Sequence, residues 1–220
     1  MGKDLEVPRE VWEACHQALL ASPKHLQGLL EKKGLTLETV KRYQLGLSLD
    51  KLRVTMPVWK DEKVVNLRQH ALFKKLDNKL ISYQPGYGRV RLYPEDQLQH
   101  PRLLLCEGEL KALLAIQLGF PAVSTTGGAM SWPEEATRQL VGKEVGVFYD
   151  RDTAGELGAK RLIPKLVKAA KVKMARLPEM RGKDLTDWVL NEGATSEDLA
   201  QVVAGAKVPE ELASLDPEAV

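Results

Sequence analysis

The chain has only two cysteines in 220 residues, Cys15 and Cys106, with no Cys-x-x-Cys and no Cys/His spacing. A zinc ribbon therefore cannot be built from it. No apolar run approaches the roughly 18 residues a membrane helix needs, and Met1 to Glu10 is too charged for a secretory signal. These absences give the expectation of a reduced, cytoplasmic protein with no membrane partner. A Walker-type phosphate loop is lacking, so a helicase motor is excluded, and no internal repeat is present. Charge of one sign is also scarce overall, at a net +2, so the whole-chain balance names no partner.

What is present is an ordinary soluble composition, 44% hydrophobic, in a length that holds one large domain or two small ones. Two stretches organise it. Leu103-Leu104-Leu105-Cys106 stops at Glu107-Gly108-Glu109, and Val145-Gly146-Val147-Phe148-Tyr149 stops at Asp150-Arg151-Asp152-Thr153-Ala154-Gly155. A short apolar run ending in acids and then a helical pattern reads as a buried parallel strand that delivers carboxylates to a crevice. If the second stretch stays extended, Asp150 and Asp152 point to the same side about 6.6 Å apart. Two carboxylates so placed are either a solvated turn or hard oxygen ligands for Mg²⁺ or Mn²⁺. The run Gly182-Lys183-Asp184-Leu185-Thr186-Asp187 downstream adds a further acid to the second reading.

Around these stretches the alternation of strands and helices predicts an open α/β unit. Its strands are expected at Leu103–Cys106, Ala122–Ser124, Val145–Tyr149 and Val172–Arg176. Its helices are expected at about Glu109–Leu118 and Ala154–Ala170, with one opened by a capping box at Ser131-Trp132-Pro133-Glu134. The alternation implies a parallel sheet with all the acids at one edge. Gly108 permits a tight exit beside Glu107, and Gly155 permits close strand-to-helix packing. Thr195-Ser196-Glu197-Asp198 opens a last helix ending near Gly205. Trp188 reads as a core anchor.

Residues 5–46 read as short helices broken at Ser22-Pro23, with Thr36 as an N-cap and Gly46 as a C-cap residue. From Lys51 to Tyr93 the pattern turns to β, with Arg53–Trp59 and Val64–Arg68 joined by an Asp61-Glu62 turn. That region carries ten Lys/Arg against three Asp/Glu, interleaved with Trp59, Phe73, Tyr83 and Tyr87. Such a mixture suits a surface that tracks phosphates and stacks bases, or else a solvated sheet face.

The ordered set Glu107-Gly108, Asp150-x-Asp152-x-Ala154-Gly155 and Lys183-Asp184 resembles the Toprim domain over about Arg102 to Leu190. It is most similar to the primase branch, including phage and plasmid primases. Lys75-Leu76-Asp77-Asn78 with Leu92-Tyr93 resembles the basic subdomain of those primases, and Arg53 with Pro57 resembles its preceding hairpin. Leu35 to Gly46 resembles the segment that precedes the catalytic core in phage-type members. The implied fold class is α/β: a Toprim parallel sheet flanked by helices, preceded by a small helical and basic α+β subdomain. The expected domains are a helical segment over 1–48, a basic subdomain over 49–100, a Toprim catalytic domain over 101–205 and an acidic tail or linker over 206–220.

The resemblance implies template-directed synthesis of short RNA primers on single-stranded DNA from nucleoside triphosphates. Asp150, Asp152 and Asp184 would hold Mg²⁺ or Mn²⁺, and Glu107 would be a further ligand or the base. Arg53, Arg68, Lys75, Asn78, Lys111 and Lys183 would hold template and nucleotide phosphates. Lys111 stands where many primases have an aspartate, as in some phage-type Toprim sequences. It leaves a second metal position open and offers a partner for a carboxylate or a phosphate. A replicative helicase or a zinc-ribbon domain is an expected partner. Competing readings are a Toprim nuclease using the same acids and a non-enzymatic DNA-binding replication or recombination factor.

Overall fold

The computed structural model describes residues 3–128 and 131–209. Residues 210–220 of the expected acidic tail lie outside the described residues. Internal contacts divide the chain into two compact units, Met1–Arg89 and Val90–Val220. The expected helical segment and the basic hairpin thus fall within one unit, and residues from Val90 onward fall with the α/β sheet.

In the first unit, α1 (Arg9–Leu20) and α2 (Pro23–Lys33) are separated at Ser22, and Pro23 opens α2 at a position where a missing N–H is not needed. Thr36 caps α3 (Leu37–Arg42), its hydroxyl accepting from the Thr39 amide at 3.2 Å. Gly46 does not cap that helix as expected: Tyr43 does, and Gly46 opens strand β1 (Gly46–Leu47). Packing demands the glycine there, since a Cβ would lie 2.5 Å from Thr55 Oγ1 and 2.6 Å from the Cys15 backbone. Strands β2 (Arg53–Lys60) and β3 (Lys63–Ala71) form the expected hairpin, with Asp61 and Glu62 both left-handed at φ 47° and 64°. Positive φ at both turn residues matches the right-handed twist of the flanking strands. With β4 (Leu80–Ile81) the antiparallel sheet runs β1-β2-β3-β4, and Val7, Trp12, Cys15, Val64 and Leu67 are buried together.

The second unit begins with β5 (Leu92–Tyr93) and a 3₁₀ turn, followed by β6 (Arg102–Cys106), α4 (Glu109–Gln117) and β7 (Ala122–Thr125). Then come α5 (Glu134–Gln139), β8 (Glu144–Phe148), α6 (Thr153–Leu166) and β9 (Lys171–Met174). Helices α7 (Leu185–Glu192) and α8 (Ser196–Ala204) complete it. The sheet order is β5-β7-β6-β8-β9, parallel from β7 to β9 with β5 antiparallel at the edge. A central parallel strand covered on both faces needs an unbroken apolar run, and Leu103 to Cys106 is buried throughout. Leu103, Leu105, Val145 and Val147 pack there with Leu162, Ile163 and Leu166 of α6.

One sequence expectation fails in this unit. The capping box before α5 does not form: Pro133 is the N-cap, so Glu134 stands at the first helical position instead of the third a box requires. The stretch after Asp184, which the sequence reading assigned to no element, forms α7, with Trp188 buried in it as the anticipated anchor.

Candidate active site

Adjacent strands β6 and β8 are paired through Cys106 and Phe148, so Glu107 and the Tyr149–Asp152 segment leave the sheet side by side. Gly108 makes the turn at φ 99°, where a side chain would be strained, and its amide donates to Ser124 Oγ at 3.0 Å. Ser124, at β7, was not singled out by the sequence; a serine in a buried strand was its only signal. The Arg151 amide donates to the Lys183 carbonyl at 2.7 Å, which fastens the loop after β9 to the end of β8.

Two of the acids are helix caps. Asp152 accepts from the Gly155 amide at 2.8 Å at the start of α6, and Asp184 accepts from the Asp187 amide at 2.9 Å at the start of α7. Capping uses one oxygen of each carboxylate and places it where the helix dipole favours negative charge. The strand ends at Phe148, so the expectation that Asp150 and Asp152 act as an extended same-side pair is not met. Asp150 faces the protein and Asp152 caps a helix.

Lysines hold the other oxygens. Lys111, on α4, binds both oxygens of Asp150, with Oδ2 at 2.5 Å, and lies 3.3 Å from Asp184 Oδ2. Lys183 Nζ lies 2.5 Å from Asp152 Oδ2. The structure therefore brings Lys111 and Lys183 together with Asp150, Asp152 and Asp184.

The electrostatics follow from burial. The Asp150 carboxyl stands raised to about 6, because desolvation, helped by Glu107 and Asp184, outweighs the downward pull of Lys111. Burial also opposes charge on Lys111, but the Asp150 and Asp184 carboxylates outweigh it and hold the ammonium above its ordinary value. The hydrogen bonds from Lys183 and the Gly155 amide hold Asp152 below the usual carboxylate range. Cys106 is pushed up to about 12 by burial, which makes it a packing residue and not a nucleophile.

Glu107 Oε2 is buried with no hydrogen-bond partner among the described residues. A buried carboxylate oxygen left open in this way is suited to a cation. The donor chemistry here, carboxylate oxygen throughout, fits Mg²⁺ or Mn²⁺ in kind. Among the described residues no three acidic or other ligating groups converge on one point, since lysines stand between the acids.

Apart from Lys111 and Lys183, the residues expected to contact nucleic acid are in the first unit. Lys75 and Asn78 are exposed in the loop between β3 and β4. Arg53 is buried and its Nη1 donates to the backbone carbonyls of Gln69 and Lys79 at 3.4 and 3.5 Å; Arg68 is also buried, on β3. Trp59 packs edge-on against Trp12 at 5.3 Å and Tyr83 against Tyr87 at 5.1 Å, so rings read as stacking platforms help to hold the unit together. His70, which the sequence reading passed over, has a buried Nδ1 with no partner among the described residues.

Residues 104–189 match the Toprim-like family model. No curated protein matches the chain. Among solved structures, the Aquifex aeolicus primase zinc-binding and RNA polymerase domains are 17% identical, with a TM-score of 0.75 over 95% of this chain and 62% of that one. The E. coli primase catalytic core is 19% identical, with a TM-score of 0.68 over 89% of this chain and 78% of that one. The DnaG primase catalytic domain bound to ssDNA is 19% identical, with a TM-score of 0.67 over 90% of this chain and 80% of that one. The fold is thus that of primase catalytic cores with a Toprim-like sheet, and the chain spans less than two thirds of the solved Aquifex aeolicus chain.

Proposed function

We propose that the protein is a primase: a template-directed polymerase that makes short RNA primers on single-stranded DNA from nucleoside triphosphates. The observation that carries this reading is the set of acids Asp150, Asp152 and Asp184 bridged by Lys111 and Lys183, with Glu107 leaving the adjacent strand, in a Toprim-like sheet. The similarity in fold supports it, because it covers nearly the whole chain and so includes the first unit as well as the sheet.

In this reading Asp150, Asp152, Asp184 and Glu107 hold Mg²⁺ or Mn²⁺, which would neutralise charge developing on the transferred phosphoryl group. Asp150 and Asp152 are held in fixed positions before the cation arrives, one by burial and one by its cap. Fixed carboxylates need little reorganisation during the reaction. Lys111 screens Asp150 from Asp184 in the absence of the cation, and either lysine can turn to a phosphate oxygen once a cation takes over the carboxylates. Glu107, with its open oxygen, is positioned to be a further ligand or to accept the proton of the attacking hydroxyl. Lys75 and Asn78, with Arg68 and Arg53 behind them, hold template and nucleotide phosphates and so orient the reactants. The DnaG domain with bound ssDNA supports that assignment. A helicase or a zinc-ribbon protein in the cytoplasm would supply the choice of start site.

The test is synthesis of short labelled products on mixed-sequence single-stranded DNA with ribonucleotides and Mg²⁺ or Mn²⁺. Asp150→Asn is expected to lower product by on the order of 100-fold or more. Metal-dependent loss of the template without synthesis would instead establish the nuclease reading.

A further inference from the structure

The two faces of the sheet in the second unit are covered unequally. On the interior strand β8, Val145 and Val147 lie on the α6 side and are fully buried, whereas Gly146, facing the other way, is partly exposed. Parallel strands are ordinarily covered on both faces, so an open patch inside the sheet marks a place for an occupant. The patch is a groove of about 550 Å³. By strand register its floor runs from Arg102 and Glu144 through Leu104, Gly146 and Lys173 to Ala175, roughly 13 Å along the strands. Gly146 and Ala175 put little side chain into this space. Ala200, Val203 and Ala204, three and four residues apart on α8, form an apolar wall. None of Glu107, Asp150, Asp152 and Asp184 lines the groove: they follow the strand ends, whereas Arg102 and Glu144 open the strands.

One end of the groove is charged and the rest is carbon. Lys173 Nζ pairs with Glu144 Oε1 at 2.9 Å, and with Arg102 and Lys171 beside them three cations surround one carboxylate. The Lys173 hydrogen bond, reinforced by all three charges, holds Glu144 below the usual carboxylate range. Arg102 and Lys171 are exposed and make no ion pair with the described residues, so this end stays net positive. We infer that the groove is a docking site for a partner protein, which presents a segment with acidic residues next to leucine or aromatic side chains. The acids meet Arg102 and Lys171, and the apolar side chains lie over Gly146 and against Ala200, Val203 and Ala204. A basic segment is repelled at the charged end, and a purely acidic one leaves the apolar wall in water. Docking here is separate from the acid cluster, and the inference stands whether or not the chain makes primers.

The experiment selects dodecapeptides from a random displayed library on the full chain, then titrates the enriched peptides by fluorescence anisotropy. They are expected to combine Asp or Glu with Leu, Phe or Trp. Ala204→Trp, which fills the groove without changing its charge, is expected to weaken them by on the order of tenfold or more. Arg102→Ala is expected to weaken them by about threefold and to lessen their salt dependence. Both residues are exposed, so the variants are expected to keep the wild-type melting temperature. The inference is overturned if no peptide is enriched, if the enriched peptides carry no acidic excess, or if they bind Ala204→Trp as tightly as wild type. It is also overturned if the variants weaken a single-stranded oligonucleotide but not the peptides, which would make the groove a nucleic-acid surface. Two other occupants would overturn it as well. A wild-type dimer that Ala204→Trp turns into a monomer would assign the groove to a second copy, and peptides that bind only after deletion of residues 210–220 would assign it to that acidic segment.

Discussion

His70 shows how a single side chain reports on the basic sheet. Burial, reinforced by Lys33, Lys79, Arg53 and Arg68, pulls its imidazole down to about 4 from the ordinary 6.5. Between those two values the unfolded chain binds a proton that the folded chain refuses, so the folded state loses stability as pH falls. Replacing His70 with Gln removes that term. The decline in unfolding free energy between about pH 6.5 and 4 is expected to flatten in the variant, as read from urea midpoints at several pH values. Gly155 is the second informative residue. A Cβ there would lie 2.2 Å from the Asp150 carbonyl oxygen, closer than any neighbour can tolerate. Gly155→Ala is expected to destabilise by about 1–3 kcal/mol and to displace Asp150, with loss of primer synthesis beyond what the stability change explains. The glycine was legible in the Asp-x-Asp-x-Ala-Gly spacing; the atom it avoids was not.

Among the elements, the helices with strong local signals were readable and those without were not. Thr195 caps α8 through a reciprocal box with Asp198, both halves of which lie within four residues of sequence. Thr195→Ala is expected to cost about 1 kcal/mol, measured as a lowered urea midpoint with unchanged slope. The Ser131 to Glu134 pattern looked similar and formed no box, because the start of α5 is set by Pro133 and by Trp132 Nε1 donating to Thr137 Oγ1 at 2.8 Å. Helix α7 had a cap in Asp184, but eight residues give little periodicity, and it is held by burial of Leu185 and Trp188. Strand β5 has two residues and pairs only because β7 offers an edge. No two-residue pattern can announce a partner that lies about thirty residues away.

At the scale of the molecule, the unit Met1–Arg89 has a cationic excess, 16 Lys/Arg against 10 Asp/Glu, and the acid cluster lies in the unit Val90–Val220, with 16 against 20. If the first unit tracks phosphates, single-stranded DNA affinity falls steeply with salt, with a log–log slope of about −0.7 per phosphate contact. Lys75→Ala is expected to lessen that slope by about one such contact; an unchanged slope would remove Lys75 from the contact set. None of the described helices is long and apolar enough to cross a membrane, in keeping with the absence of long apolar runs. By itself the sequence determined the parallel sheet, the hairpin and the identity of the acids, because these rest on local apolar runs, turn residues and short spacings. Tertiary structure alone decided that Lys111 joins Asp150 to Asp184, that Arg53 faces backbone carbonyls, and that Trp59 packs on Trp12. Each of these joins residues distant in sequence through the packing of separate elements, and no local pattern encodes where such side chains meet.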